Sequence, residues 1–159
     1  MGLVHAEVEI DAPAERIFDI LADLASYGEW NPFTPRVEST LRLGDPVHLH
    51  VRLVGPRLAH RVEYVTRNER PAALCWGVTI GAPFLLRAER RQTLTPIGEN
   101  RTRFVNEDEI RGWLAPIVML AFGGAMQRGF EAVAIALKQR VEARERKETE
   151  CPTPAPPSA

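Results

Sequence analysis

The chain has 159 residues, of which 45% are hydrophobic, so it can bury a core as one domain without disulfides or metals. Its 20 basic and 21 acidic side chains leave a net charge of −1, which excludes the strongly basic surface of a nucleic-acid-binding protein. Two cysteines, no signal peptide and no apolar stretch long enough to span a bilayer lead us to expect a soluble, cytoplasmic protein.

The first predicted element is a strand over residues 3–11, where apolar and polar side chains alternate. Pro13 then opens a helix that ends near Gly28. Six more strand-like segments follow, and the short turns between them predict an antiparallel meander. They are residues 36–42, 47–54, 60–68, 73–80, 86–95 and 101–112. A long amphipathic helix over about 115–147 completes the series.

This order of elements predicts one α+β domain, with a sheet of about seven strands packed on the long helix. The domain is expected to cover residues 1–147. Residues 148–159 contain four prolines and almost nothing to bury, so we expect a disordered tail there.

Four segments carry a family resemblance: VEIDAPAERIFDILADLASYGEWNPF at 8–33, Gly-Asp-Pro at 44–46, LTPIGENRTRF at 94–104 and DEIRGWLAPI at 108–117. With them the chain resembles the START-related helix-grip (SRPBCC) superfamily, in particular its bacterial polyketide cyclase/dehydrase-like branch. The resemblance spans roughly residues 3–145. It implies a helix-grip fold, in which a curved antiparallel sheet wraps around the long C-terminal helix, with short helices after the first strand.

The resemblance also implies an internal cavity between the sheet and the helix. Members of the superfamily bind or transfer lipids, hormones and polyketides, and some cyclise or dehydrate them. A likeness of fold does not choose among these activities. It does imply that the partner is a hydrophobic small molecule, and we expect a monomer or homodimer with no nucleic-acid partner and no transmembrane segment.

Strand alternation predicts which side chains face this cavity. In the last hairpin we pair Gln92 with Phe104 and Arg90 with Asn106, which places a polar patch on the inner face. Arg90 and Asp108 would then offset each other's burial and orient a carbonyl or hydroxyl group of the ligand. The alternative is that these polar side chains face solvent. The expected ligand-binding residues are Leu49, Val51, Tyr64, Trp76, Val78, Arg90, Gln92, Phe104, Asn106, Asp108, Phe122, Met126 and Phe130.

Two groups of residues near the expected cavity each have two interpretations. Tyr64 and Trp76 either line the cavity, each offering one hydrogen bond, or are ordinary core aromatics. The glycines at 123–124 and 129 weaken a helix interior, so they indicate close approach to a neighbour or room for a ligand.

Three functions are consistent with this sequence. The first is a protein that binds a lipid-like, aromatic or polyketide molecule. The second is a cyclase/dehydratase-type enzyme acting on a poly-β-ketone, in which Arg90, Asp108 or Tyr64 assists enolisation or loss of water. The third is a protein-binding module that uses the apolar segment 113–122. Because no residue pair has the spacing of a known catalytic motif, the sequence favours the first and leaves open whether chemistry occurs.

Metal and cofactor motifs are missing from the sequence. The four histidines fit no zinc spacing, and there is neither a Walker loop nor a nucleotide-binding glycine fingerprint. We therefore expect no metal and no cofactor.

Overall fold

The computed structural model describes residues 1–150. Its elements are β1 (Gly2–Ile10), α1 (Ala14–Ala22), a short 3-10 turn (Leu24–Ser26), α2 (Tyr27–Trp30), β2 (Arg36–Glu38), β3 (Pro46–Val51), β4 (Ala59–Glu69), β5 (Ala73–Ile80), β6 (Leu86–Gly98), β7 (Arg101–Arg111) and α3 (Ala115–Glu150). This is the predicted order of one strand, short helices, six strands and a long helix.

The seven strands form one antiparallel sheet in the order β1-β7-β6-β5-β4-β3-β2. The meander from β2 to β7 pairs neighbours in sequence, and β1 joins its far edge by pairing with β7. The sheet curls into a half-barrel whose concave face receives α3, which packs mainly against β1 and β7. The helix-grip fold expected from the resemblance is therefore confirmed.

One face of α3 fills the half-barrel. Phe130, Val133, Leu137 and Val141 recur at three- and four-residue steps, so they share that face, and all four are buried. Burial of an aliphatic or aromatic side chain contributes roughly 1.5–3 kcal/mol. This stripe therefore anchors the second half of the helix to the sheet.

The helix extends three residues beyond the predicted domain end at Lys147. Residues 148–150, which we expected to be disordered, are helical, and Glu148 forms an ion pair of 2.8 Å with Arg16 of α1. These polar residues extend the helix because they include no proline or glycine. The rest of the predicted tail, residues 151–159, lies outside the described part of the chain. Within residues 1–150, no helix is both long and apolar enough to cross a membrane.

The register of the last hairpin differs from the prediction by two residues. Arg90 pairs with Asp108 and Gln92 with Asn106, because the chain turns at residues 99–100 and carries a bulge between Pro96 and Gly98. A shift of two residues keeps every side chain on its predicted face. The inner face of β6 and β7 is therefore as predicted, and only the cross-strand neighbours change.

Candidate ligand-binding site

A cavity of about 110 Å³ lies between the concave face of the sheet and the first half of α3. A cavity of about 150 Å³ can hold benzene, so this smaller one has room for a ligand of a few heavy atoms or for part of a larger one. Its walls include nine of the predicted residues: Leu49, Val51, Trp76, Val78, Arg90, Asp108, Phe122, Met126 and Phe130.

One row of side chains across the sheet sets the polar part of the wall. Val65 lies opposite Trp76, Trp76 opposite Arg90, and Arg90 opposite Asp108 in adjacent antiparallel strands. Directly opposed residues point to the same face of a sheet. Because Val65 and Trp76 are buried in the core, Arg90 and Asp108 must also point inward.

Arg90 is buried without a carboxylate partner. Its Nε donates a hydrogen bond of 3.0 Å to Asn106 Oδ1, and its guanidinium carbon lies 4.6 Å from the ring centre of Phe130 and 5.7 Å from that of Trp76. Among residues 1–150, no carboxylate oxygen lies within 4.0 Å of the guanidinium. Burial lowers the pKa of Arg90, and the two aromatic rings offset part of the desolvation by cation–π attraction.

Asp108 does not form the ion pair with Arg90 that the sequence led us to expect. The two residues are opposed, but their charged groups are not in contact, and Asp108 Oδ1 is buried without a hydrogen-bond partner in the described chain. Burial raises the pKa of this carboxyl group to about 6, and the nearby charges of Arg90 and Arg61 limit the rise.

Glu63 is a second carboxylate of the cavity wall, and our sequence analysis missed it. Burial raises its pKa to about 8, the negative charge of Asp108 adds to the rise, and Arg90 and Arg61 oppose it. At neutral pH Glu63 is therefore mainly protonated while Asp108 is mainly ionised. Arg61, also absent from the prediction, lines the same wall.

Tyr64 is not part of the site, which corrects the prediction for β4. Its side chain is 50% exposed and points away from the cavity. The inner face of this strand carries Arg61, Glu63 and Val65, because Val65 must oppose the buried Trp76. In the sequence HRVEYV, either set of alternate residues could face the core. Burial of the tyrosine favours the set that the structure places outside.

Three other predicted residues lie on the inner face but behind the cavity wall. Phe104 is completely buried in the core, opposite Leu94. Gln92 and Asn106 are opposed and buried, and the amide nitrogen of each has no protein partner among the described residues. Asn106 thus contributes indirectly, by holding the Arg90 guanidinium in place through its amide oxygen.

Among residues 1–150, no group of three or more histidine, cysteine or carboxylate side chains is arranged to hold a metal ion. The cavity has an apolar wall and four ionisable side chains: Arg61, Glu63, Arg90 and Asp108.

The fold of this chain is shared with several solved structures. The Zhui aromatase/cyclase from Streptomyces sp. R1128 is 22% identical, with 91% of this chain and 96% of that chain covered and a TM-score of 0.70. A START superfamily protein from Mycobacterium smegmatis is also 22% identical, over 89% of this chain and 98% of that chain, with a TM-score of 0.68. Norcoclaurine synthase from Thalictrum flavum, in complex with dopamine and hydroxybenzaldehyde, is 13% identical, over 89% and 87%, with a TM-score of 0.64.

At these identities the similarity shows only that the fold is shared, and it assigns none of these proteins' activities to this chain. No curated protein matches the sequence. The family model described as polyketide cyclase/dehydrase and lipid transport matches residues 1–142, which is most of the chain and includes every charged side chain of the cavity. On that match, the chain belongs to the polyketide cyclase/dehydrase and lipid transport family of helix-grip proteins.

Proposed function

We propose that this chain binds a hydrophobic small molecule, lipid-like, aromatic or polyketide, in the cavity between the sheet and α3. The observation that carries the proposal is Arg90, a buried guanidinium that faces an apolar cavity and has no carboxylate within 4.0 Å in the described residues. Only the Nε of this guanidinium has a hydrogen-bond partner in the described residues, and a buried charge whose other donors are unpaired is costly. A ligand oxygen can supply the missing partner.

The charges of the wall indicate the polar end of this ligand. At neutral pH Arg61 and Arg90 are positive, Asp108 is mainly ionised and Glu63 mainly neutral, so the wall carries a net positive charge. An oxygen-rich group such as a carbonyl, carboxylate or phenolate complements that charge. The body of the ligand would contact the apolar walls formed by β3, β5 and α3.

The test of binding begins with protein purified from its own host. Native mass spectrometry followed by extraction should identify an apolar compound that carries such an oxygen-rich group. Arg90→Ala should reduce the bound fraction without altering the compound. Arg91→Ala is a matched control, because Arg91 is adjacent in sequence but pairs with Glu89 and Glu109 on the outer face. Equal occupancy in the Arg90→Ala and Arg91→Ala variants would contradict the proposal.

A second candidate function is cyclisation and dehydration of a poly-β-ketone, and one observation favours it. Asp108 and Glu63 have pKa values of about 6 and about 8, so one is a base and the other an acid near neutral pH. Environments that separate the pKa values of two neighbouring groups are typical of acid–base catalysis.

If the chain is such an enzyme, Asp108 removes a proton from the carbon between two ketones. The electron pair moves to the enolate oxygen, which Arg90 stabilises. The enolate carbon attacks another carbonyl of the same molecule, a C–C bond forms, and Glu63 protonates the resulting alkoxide. In the dehydration that follows, Glu63 removes a proton and Asp108 protonates the departing hydroxyl, so water leaves and both carboxyl groups return to their starting states.

Kinetics on an unreduced poly-β-ketone distinguish the two functions. An enzyme should convert it to a cyclised product, with kcat/KM rising through about pH 6 and falling above about pH 8. Asp108→Asn and Glu63→Gln should lower kcat far more than they weaken binding, because their proton transfers occur only in the transition state. A ligand recovered unchanged in every variant would leave binding as the function.

A further inference from the structure

Exposed apolar side chains cluster around one end of the cavity. They belong to three segments, residues 52–58, 80–87 and 111–120, which lie at the same end of the antiparallel sheet because they follow every second strand. Each segment contributes to the cavity wall. We call these three segments the mouth surface. They carry seven of the thirteen large hydrophobic side chains that are exposed in residues 1–150: Val54, Leu58, Ile80, Phe84, Trp113, Ile117 and Leu120.

Backbone contacts fix the two largest of these side chains in their exposed positions. The Trp113 N–H donates to the Phe84 carbonyl at 3.0 Å, and the two rings lie 6.1 Å apart. Gly112 permits this contact, since its φ is +106° and a Cβ there would lie 2.5 Å from the Leu85 carbonyl oxygen. Phe84 is nevertheless 64% exposed and Trp113 80% exposed. Backbone hydrogen bonds therefore hold this turn with both rings exposed.

The start of α3 has two apolar sides. Val118 and Phe122 line the cavity. Ile117 and Leu120, three residues apart in the helix, share a neighbouring side and are 63% and 91% exposed, and Trp113 lies in the turn just before the helix. The same turns of helix therefore border the ligand space and present apolar side chains to the outside.

The charges of the mouth surface are all positive. Of its four arginines, Arg52, Arg57 and Arg87 are exposed and, within residues 1–150, have no carboxylate within 4.0 Å, whereas Arg111 pairs with Glu109 at 2.5 Å. The three segments contain no aspartate or glutamate, although the whole chain has a net charge of −1. Aromatic and aliphatic side chains mixed with arginine are the composition that binds the interface of an anionic bilayer.

We propose that the mouth surface docks on an anionic lipid bilayer and so places the cavity against the membrane. The apolar side chains would enter the boundary between headgroups and acyl chains, and the three arginines would contact lipid phosphates. The sequence also suggested a protein partner for residues 113–122. The structure favours lipid, because the exposed apolar side chains come from three separate segments that all line the cavity and carry only positive charges.

Vesicle co-sedimentation of the full chain tests the proposal. Vesicles of phosphatidylcholine mixed with phosphatidylglycerol should bind the protein about tenfold or more tightly than vesicles of phosphatidylcholine alone. Trp113 supplies a second readout, since Trp30 and Trp76 are buried and only Trp113 can change from water to lipid. Its fluorescence should shift to shorter wavelength on the mixed vesicles. Trp113→Phe should remove that shift while sedimentation is retained.

Two double variants locate the surface. Phe84→Ser with Trp113→Ser should abolish sedimentation, and Arg52→Glu with Arg57→Glu should lower affinity for the mixed vesicles by more than about tenfold. The matched control is Leu43→Ser with Ile97→Ser, two exposed apolar residues outside the mouth surface, which should bind like the parent chain. Absence of sedimentation of the parent on mixed vesicles overturns the proposal. An equal loss of sedimentation in the control variant would show that the mouth surface is not the docking site. If the parent bound an acidic protein but no vesicles, the mouth surface would be assigned to a protein partner.

Discussion

Arg90 and Asp108 are direct neighbours across the hairpin of β6 and β7, yet no oxygen of Asp108 lies within 4.0 Å of the Arg90 guanidinium. Arg90 instead donates to Asn106, and Asp108 Oδ1 has no partner among the described residues. Opposed charges that face a cavity without contact remain available to a ligand, at a cost to stability. Removal of the Arg90 charge should therefore weaken ligand binding without lowering the stability of the fold.

The first prediction concerns Arg90→Met, which keeps most of the side-chain volume and removes the buried charge. We expect the free energy of unfolding in urea to stay unchanged or to rise by about 1 kcal/mol, because apolar replacements of buried charges are often neutral or stabilising. Binding of anilinonaphthalene sulfonate, an aromatic probe with an anionic group, should weaken about tenfold or more. A loss of stability above about 3 kcal/mol would instead identify Arg90 as a structural residue that Asn106 and the two aromatic rings require.

The second prediction concerns the pH dependence of stability, which Glu63 should dominate. Its pKa is about 8 in the folded chain and near 4.5 when unfolded, so the folded state holds the proton more tightly. The stability associated with that proton is fully present below about pH 4.5 and is lost as the pH rises through about 8.

Glu63→Gln cannot ionise, so it should remove this part of the pH dependence. At pH values above 8 the variant should be more stable than the parent by about 2 kcal/mol, less than the full pKa shift implies because the cavity opens to solvent. Urea titrations at a series of pH values measure the difference. Glu99→Gln is the control, because it makes the same change at an exposed position outside the cavity, in the turn between β6 and β7. Parallel curves for the Glu63→Gln variant and the parent would contradict the assigned pKa.

The sequence was sufficient to predict the order of elements and the inner face of the last hairpin. In β7 the apolar residues Phe104 and Ile110 are an even number of residues apart and so share one face of the strand. In α3 an apolar side chain recurs at every third or fourth position over the buried length. These periods depend only on the local chain geometry. They survive a pairing error of an even number of residues, and for that reason Arg90 and Asp108 were placed on the correct face with the wrong partners.

The parts that could not be predicted depend on contacts between strands. The bulge in β4 between Val65 and Arg67 changes the alternation of side chains along the strand. Because an aromatic side chain is expected to be buried, Tyr64 was predicted to face the cavity, and its neighbour Glu63 was therefore predicted to face outward. The turn at residues 99–100 fixes the hairpin register, and its bulge has no distinct sequence pattern. At the final turn of α3, Glu148 pairs with Arg16, a contact between residues far apart in sequence that no local pattern indicates.

The third prediction tests how α3 is anchored. Phe130 is 1% exposed and packs edge-on against Phe33 at a ring separation of 5.7 Å. Phe130→Ala should lower the free energy of unfolding by about 3–5 kcal/mol, the usual loss for a fully buried phenylalanine. Ile135→Ala is the control on the same helix, since Ile135 is 56% exposed and should cost less than about 1 kcal/mol. Similar losses in the two variants would mean that the buried face of α3 is wrongly assigned.

The last prediction compares two glycines of α3 that differ only in their neighbours. A Cβ at Gly129 would overlap the ring of Phe33, which lines the cavity, whereas a Cβ at Gly124 would meet only the guanidinium of Arg128 at an ordinary 3.5 Å. Gly124→Ala should therefore stabilise the chain by up to about 1 kcal/mol through helix propensity. Gly129→Ala gains the same propensity but must displace an aromatic ring in a packed wall, at a net loss of about 1–3 kcal/mol.

These two variants also separate close packing from ligand space. Since Phe33 forms part of the cavity wall and packs on Phe130, its displacement should change the affinity for anilinonaphthalene sulfonate in the Gly129→Ala variant. The Gly124→Ala variant should bind the probe like the parent, because Gly124 is exposed and lies outside the wall. Urea titration and probe fluorescence measured on both proteins give the comparison. If alanine stabilises the chain equally at both positions, then the Phe33 ring is free to move, and glycine at 129 is not needed for the approach of α3 to the segment between α2 and β2.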